Sequence, residues 1–201
     1  RFEEWAGMSA RKDAIGFQDD TQQEILFLYD PAVLSVAHNP GSTHDAPRFD
    51  AEFEIDLDID AKPDRVVFSK PPFELDITTK TGPGLHLIGV HAKSKAPHGA
   101  TNEADATRLK IANRRKQLAQ CIWLRRRVDA RLVQGKSLVV MGAFNDGPGL
   151  DQFEALFGRS SVEIVLGVGD TALFDPHAML ALARKFEAQH TTARFYLRDE
   201  K

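Results

Sequence analysis

The feature that most constrains the fold of this chain is a short apolar segment that ends abruptly in polar residues. Residues 138–141 read Leu-Val-Val-Met, and Gly142 follows as a residue free to turn. Such a run predicts a strand buried on both faces of a sheet. Asn145 and Asp146 come directly after it, and a Gly-Pro break precedes an apolar-periodic helix that begins near 150. Because a strand end is a rigid mount, these polar side chains are candidates to contact a ligand.

A second apolar strand, predicted over 85–91, also ends in a polar side chain. It delivers His91 at its carboxyl end, and Lys93 and Ser94 follow in a loop. A long helix, predicted from near 101–103 to about 134, separates the two strands in sequence. We expect the strands to be neighbours, so that His91 and Asn145 lie together at one edge of a sheet.

The two strand ends carry a family resemblance. Val-His-Ala-Lys-Ser at 90–94 resembles a Val-His-Leu-Lys-Ser motif, and Gly-Ala-Phe-Asn-Asp at 142–146 resembles a Gly-Asp-Phe-Asn-Asp signature. In this order, with a helix between them, they resemble the endonuclease/exonuclease/phosphatase superfamily, which includes deoxyribonuclease I, abasic-site endonucleases, neutral sphingomyelinases and inositol phosphatases. Ala92 departs from the first motif. Ala143 replaces the aspartate that, in the family, helps to activate the attacking water.

The resemblance implies a fold and a domain organisation. The fold is an α/β class, four-layered sandwich of two mainly antiparallel sheets flanked by helices, as in deoxyribonuclease I. Residues 1–201 would form a single domain, with the resemblance covering about 16–196. The family's first motif, a magnesium-binding glutamate in a Gln-Glu-Val-like strand, and its last, a Ser-Asp-His motif, are not found. The start, Arg-Phe-Glu-Glu-Trp, does not look like a natural translation start, so we expect an excised piece.

The resemblance also assigns roles to individual residues. His91, Asn145 and Ala143 occupy the catalytic positions, with His91 contacting the scissile phosphate and Ala143 marking the lost carboxylate. Lys93, Ser94 and Asn145 are the substrate-binding candidates. The implied cofactor is Mg²⁺ or Mn²⁺, with no metal ligand assigned in this chain. The implied partner is a phosphate ester: DNA, RNA, a phospholipid headgroup or a sugar phosphate.

Two functional hypotheses follow. In the first, the chain is a divalent-metal-dependent phosphoesterase, a phosphodiesterase or nuclease, in which Ala143 is an inactivating substitution. In the second, the alanine is native and the chain is a noncatalytic phosphate-binding or interaction module. Ordinary structural interpretations also stand: His91 as a strand-end residue, Asn145 as a turn residue and Asp146 as a helix N-cap.

Composition and charge limit the function classes. With 201 residues, 42% of them hydrophobic, and no run of about 18 apolar residues, the chain predicts an ordinary globular core and no transmembrane segment. A formal charge of −3 means that nucleic acid would have to bind a local basic patch. Cys121 is the single cysteine, which excludes an intrachain disulfide and a cysteine-built zinc site.

The long helix is the one strongly basic stretch. Residues 101–135 hold nine Lys or Arg against three acids, so a phosphodiester backbone could bind there. Because Trp123 is the only aromatic residue among the charges, we prefer a solvated helix exterior. The opposite face is a predicted buried stripe: Ile111, Leu118, Cys121, Leu124, Val128 and Leu132.

The remaining elements are predicted from apolar runs and alternation. The six histidines other than His91 show no metal-ligand spacing and are predicted to be structural or exposed. Strands are predicted over 23–29, 49–60, 65–69 and 73–79, a short strand or buried turn over 160–166, a last helix over 178–188 and a final strand over 191–197.

Overall fold

The structure, a computed structural model, describes residues 7, 9, 12–18, 25–57, 62–147 and 158–183. In these ranges the chain forms a mixed α/β fold. Its strands are β1 (Lys12–Ile15), β2 (Leu26–Tyr29), β3 (Leu34–His38), β4 (Phe53–Ile55), β5 (Asp64–Val66), β6 (Phe73–Thr79), β7 (Leu85–His91) and β8 (Leu138–Ala143). Its helices are α1 (Glu103–Val133), α2 (Ser161–Leu166) and α3 (Pro176–Ala183), with a 3₁₀ turn at Gly169–Thr171.

The central sheet has four strands in the order β3-β6-β7-β8. β3, β6 and β7 are antiparallel neighbours, whereas β7 and β8 are parallel. Parallel strands need a long connection, and α1 supplies it. β1 pairs with β2, and β4 with β5, as two further antiparallel pairs. The combination of several sheets with helices confirms the predicted mixed α/β class.

The two faces of the central sheet bury different partners, because side chains alternate along each strand. Ile88 and Val90 of β7 belong to one core with residues of α1. On the other face, Leu87 and residues of β6 form a second core with Ala14 and Phe27 of the β1-β2 pair. The central sheet is therefore covered by a helix on one side and by two strands on the other.

Helix α1 begins and ends close to its predicted limits. Asn102 is the N-cap, and its side chain accepts a hydrogen bond of 2.9 Å from the backbone N–H of Asp105. Within the predicted apolar stripe, Cys121, Leu124 and Val128 are fully buried, but Ile111 is exposed. No helix in the described ranges has the length and apolar character needed to cross a bilayer.

The preferred interpretation of the basic residues of α1 as a solvated exterior is wrong for three of them. Arg114, Arg127 and Arg131 are buried. Arg127 donates to three carbonyl oxygens of the loop after β3, at 2.6, 2.6 and 3.0 Å. A buried guanidinium is tolerated only when its donors are satisfied. This loop supplies the acceptors, and it was not expected to fold back over the helix.

A buried carboxylate links β6 to α1. Glu74 accepts at Oε1 from Nε and Nη2 of Arg131, at 3.0 and 2.8 Å, and at Oε2 from the backbone N–H of Gly41 at 2.8 Å. Arg127 Nε lies 3.5 Å from Oε2, and His86 Nε2 lies 3.5 Å from Oε1. All four side chains are buried. Their mutual pairing fixes the helix on the sheet.

Strand β8 is not buried on both faces as predicted. Among the described residues it is the last strand of the central sheet, and Val139 and Met141 are 39% and 54% exposed. Only the face of β8 that points toward α1 is covered by described residues. A short apolar run has no period that distinguishes a strand with one buried face from a strand with two. The prediction from composition therefore overestimated the burial of β8.

The strand predicted over 49–60 is much shorter than expected. Only Phe53–Ile55 pairs, with Asp64–Val66. Phe49 lies in a turn but is fully buried, because it packs on Trp123 at a ring-centroid distance of 5.5 Å. The alternation of apolar and acidic residues over 49–60 therefore included Phe49, which is buried by packing in the α1 core and not by strand pairing.

Within 160–166 the chain forms helix α2 (Ser161–Leu166) with Ser160 as its N-cap, not the predicted strand or buried turn. Ser160 Oγ accepts from the backbone N–H of Glu163 at 3.2 Å, and the Glu163 carboxylate accepts from the Ser160 N–H at 3.0 Å. This reciprocal capping box has the sequence signature Ser-x-x-Glu. The prediction over 160–166 was based on apolar content and did not use this signature.

Several predicted elements fall partly or wholly outside the described residues. The structure confirms the start of the last helix, as Pro176–Ala183. The rest of that helix, the helix near 150 and the strand over 191–197 lie outside the described ranges. β1 and β3 were not predicted, because their short sequences mix polar and apolar residues.

The single cysteine provides a test of the α1 core. Burial raises the pKa of the Cys121 thiol to about 12, and the thiolate is the reactive form. We therefore expect no reaction with Ellman's reagent in the folded protein at pH 8, and one thiol per chain after denaturation in guanidinium. Labelling of the native protein at the rate of free cysteine would show that this core opens.

Candidate functional site

The carboxyl ends of β7 and β8 meet at one edge of the central sheet, as expected. His91 and Ala143 are paired residues of the parallel ladder, and the Ala92 N–H donates to the Ala143 carbonyl at 2.9 Å. Paired residues of neighbouring strands point to the same face. The side chains at positions 91 and 143 therefore share the sheet face that lies opposite α1.

His91 has a cation beside it. Lys70, which lies just before β6, donates from Nζ to Nδ1 of His91 over 3.4 Å. This contact assigns the proton of the neutral ring to Nε2. Partial burial lowers the pKa of His91, and the charge of Lys70 lowers it further. At neutral pH the side chain is an uncharged imidazole with one N–H available to an acceptor.

We expect NMR titration to place the midpoint of His91 below the ordinary value of 6.5. Lys70→Gln should raise this midpoint, because it removes a positive charge that disfavours the imidazolium. Lys80→Gln is the matched control, since Lys80 is exposed and follows β6 at the opposite end of the sheet. Equal midpoints in the Lys70 and Lys80 variants would show that Lys70 has no influence on the ring.

Position 143 lies beside the imidazole. Neighbouring strands are about 4.8 Å apart, so a longer side chain at 143 would reach His91. Gly142 permits this close pairing: its φ is +140°, and a Cβ there would collide with the Val90 carbonyl. The glycine before Ala143 is thus required by the close approach of the two backbones.

Asn145 fixes the loop after β8. Its φ of 54° is left-handed, a conformation that Asn tolerates better than most residues. Its Nδ2 donates to the Ala92 carbonyl at 2.8 Å, which ties the ends of β7 and β8 together. Gln117 of α1 donates to the Phe144 and Asn145 carbonyls at 3.1 Å each. Asn145 Oδ1 accepts no hydrogen bond from the described part of the chain and could contact a ligand.

Asp146 is a structural anchor. Its Oδ1 accepts from Lys95 Nζ at 2.7 Å, its Oδ2 accepts from the Ser161 N–H at 2.7 Å, and its side chain is only 3% exposed. These contacts connect the loop after β8 with the loop after β7 and with the start of α2. The helix for which Asp146 was considered as an N-cap lies beyond 147, outside the described residues.

Lys93 and Ser94 lie in the loop after β7, next to the paired strand ends. The Lys93 N–H donates to Gln120 Oε1 at 2.8 Å, and Ser94 Oγ accepts from the Ala96 N–H at 3.2 Å. Both residues are half-buried. The loop is thus held by its backbone, and the Lys93 ammonium is not used in holding it.

The described residues do not form a ligand set for a divalent metal. No group of three or more His, Cys, Asp or Glu side chains within the described ranges lies close enough to hold an ion. At the strand ends, Asp146 is engaged in hydrogen bonds, and a cation there would face the Lys70 ammonium. The chemistry supported by these residues is anion binding.

Sequence reasoning did not find Lys70 or Gln117. Lys70 belongs to a Lys-Pro-Pro segment 21 residues before His91, and only the antiparallel pairing of β6 with β7 brings it to the site. Gln117 lies within the basic run of α1, in which the charged residues were the binding candidates. Glutamine in a helix predicts no contact by itself.

Comparisons with protein-family models, with curated proteins and with solved structures found no match to this chain. The function is therefore inferred from the residues and their geometry.

Proposed function

We propose that the paired ends of β7 and β8 form the phosphate-binding part of a phosphoesterase of the endonuclease/exonuclease/phosphatase type, with a deoxyribonuclease I-like fold, disabled at Ala143. One observation carries this proposal. His91 and Ala143 are register partners on one sheet face, with the Lys70 ammonium beside the imidazole. A neutral hydrogen-bond donor thus lies next to the position where the family signature has its carboxylate, and a cation contacts that donor from the β6 side.

Each residue has a chemical role in this proposal. The Nε2–H of His91 donates to a nonbridging phosphoryl oxygen, and Lys70 adds positive charge near it. The Asn145 amide positions the loop and offers Oδ1 to a ligand or to water. A carboxylate at 143 would orient and activate the water that attacks phosphorus in line with the leaving oxygen. Without that carboxylate, the site binds a phosphate ester but hydrolyses it poorly.

A noncatalytic phosphate-binding module is the second candidate. It is favoured by the state of Asp146, which is the only carboxylate in the described segment 144–147 that follows β8 and which is engaged as an anchor. Both candidates share phosphate binding at His91. They differ in whether a carboxylate at 143 produces turnover.

The resemblance predicts dependence on Mg²⁺ or Mn²⁺. Since the described residues provide no ligand set, we assign no step of the reaction to the ion. Metal dependence of the Ala143→Asp variant remains a prediction.

Phosphate binding can be measured directly. In calorimetric titration with inorganic phosphate, we expect His91→Gln to weaken binding about tenfold, because a hydrogen bond to a charged group contributes about 1.5–3 kcal/mol. His44→Gln is the control, since the His44 side chain is fully exposed on the loop after β3. Equal phosphate affinities for the two variants would contradict the proposal.

A further inference from the structure

Lys116 lies on the part of α1 that supports the loop after β7. The loop is attached to the helix at two points: the Ala96 carbonyl accepts from Asn113 Nδ2 at 2.8 Å, and the Lys93 N–H donates to Gln120 Oε1 at 2.8 Å. Asn113, Lys116 and Gln120 are spaced by three and four residues and so share one helix face. Lys116 is therefore located between the two attachment points, next to the loop.

Lys116 and Lys93 place two positive charges close together. Burial lowers the pKa of Lys116, and the charge of Lys93 lowers it further. Other cations of this region are paired, since Lys95 binds Asp146 at 2.7 Å and Arg115 contacts Asp64 at 3.3 Å. Neither Lys93 nor Lys116 contacts a carboxylate among the described residues. Two neighbouring ammonium groups without a counterion favour binding of an anion.

We propose that Lys116 and Lys93 form a second anion subsite, which binds a further phosphate group of a ligand whose first phosphate lies at His91. This inference rests on the proposed function. Lys93 is two residues beyond His91, so at most about 7 Å of backbone separates the two positions. Since His91 faces away from α1, one ligand occupies both subsites by passing over the carboxyl end of β7. The substrate class is a compound with several phosphate groups, from a nucleic acid strand or from a polyphosphate.

The test compares two ligands with several phosphates, a short single-stranded oligothymidylate and inorganic tripolyphosphate, with inorganic phosphate. We expect Lys116→Gln to weaken oligothymidylate binding about tenfold, since a charge-assisted contact is lost. It should also reduce the slope of log K against log[NaCl] by about 0.7, the value for one phosphate contact to a single strand. Inorganic phosphate binding should change less than about twofold, because the His91 subsite is intact.

Two variants serve as controls. Lys116→Arg keeps the charge and should restore oligothymidylate binding. Lys80→Gln removes one charge at the far end of the sheet and should leave all three affinities unchanged. If circular dichroism shows that Lys116→Gln is unfolded, Lys93→Gln replaces it, with the same expected losses.

The outcomes separate the inference from the proposed function. Weaker binding of both ligands in Lys116→Gln supports a general polyphosphate subsite, and weaker binding of oligothymidylate alone supports a nucleic acid subsite. The inference is overturned if Lys116→Gln binds oligothymidylate with the affinity and salt slope of Lys80→Gln, or if the unsubstituted chain does not bind it. The proposed function fails separately, if His91→Gln leaves inorganic phosphate binding unchanged.

Discussion

Ala143→Asp is expected to increase the hydrolysis of bis(p-nitrophenyl) phosphate by about 10²- to 10⁴-fold, the usual contribution of a general acid–base group. Position 143 pairs with His91 across the parallel ladder. With strands about 4.8 Å apart, a carboxylate there would lie beside the imidazole, which Lys70 contacts from the β6 side. These neighbours would hold the carboxylate ionised, the form that can accept a proton from water.

Turnover should be measured with Mg²⁺ and with Mn²⁺. Ala143→Asn is the matched control: it has nearly the same shape but cannot accept a proton. The gain should disappear when Ala143→Asp is combined with His91→Gln. If folded Ala143→Asp is no faster than Ala143→Asn, the phosphoesterase assignment is wrong and the noncatalytic binding module takes its place.

The second large effect concerns stability. Glu74→Ala should lower the free energy of unfolding by about 3–5 kcal/mol, because it leaves buried cationic partners without their counter-charge. Arg131 would lose both of its hydrogen bonds to Oε1, and the Gly41 N–H would lose its acceptor. Urea denaturation monitored by circular dichroism measures the loss.

Glu54→Ala is the matched control for this effect. Glu54 also forms an ion pair, with Arg65 at 3.2 Å, but both side chains are mostly exposed. An exposed pair contributes about 0–1 kcal/mol. If the two variants lose equal stability, the Glu74 network does not hold α1 on the sheet.

The loss of stability in acid provides an independent measure of how much the Glu74 network stabilises the fold. Burial alone would raise the pKa of Glu74, but the close contact with His86, the charge of Arg127 and the hydrogen bonds from the Gly41 N–H and Arg131 outweigh it, and the pKa lies below its ordinary value of 4.5. The pKa of Asp76, which binds His86 Nδ1 at 2.8 Å, is also lowered, from 3.8.

Both folded-state pKa values lie below the unfolded ones, and this sets the direction in which stability changes with pH. The carboxylates stabilise the fold fully above about pH 5 and lose this contribution as pH falls through their folded pKa values. The unsubstituted chain should therefore lose stability below pH 4.5 more steeply than Glu74→Ala. Parallel pH profiles for the two proteins would contradict the direction of the Glu74 shift.

Local signals predicted the core of the fold well. Asn102 marks the start of α1 because its side chain caps the helix, and the apolar runs of β6 and β7 mark buried strands. The neighbouring positions of the strands that end near His91 and Asn145 followed from two apolar strands separated by a helix. These features depend on short-range chemistry that a sequence displays directly.

The features that the sequence did not predict have a common physical cause, which is contact between segments that are distant in the chain. Arg127 is buried because a loop more than 80 residues away covers it, and Lys70 reaches His91 only through strand pairing. The exposure of Met141 depends on β8 being the last strand of the sheet. None of these relations has a period or motif in the sequence.

The most direct test of phosphate binding at the ends of β7 and β8 is long-range ¹H–¹⁵N NMR of the histidine side chains during titration with inorganic phosphate. We expect the Nε2 resonance of His91 to shift saturably, while the signals of the exposed His44 do not saturate. The saturation curve should match the calorimetric affinity. Phosphate binding that leaves the His91 resonances unmoved would place the anion elsewhere and contradict the assignment of this site.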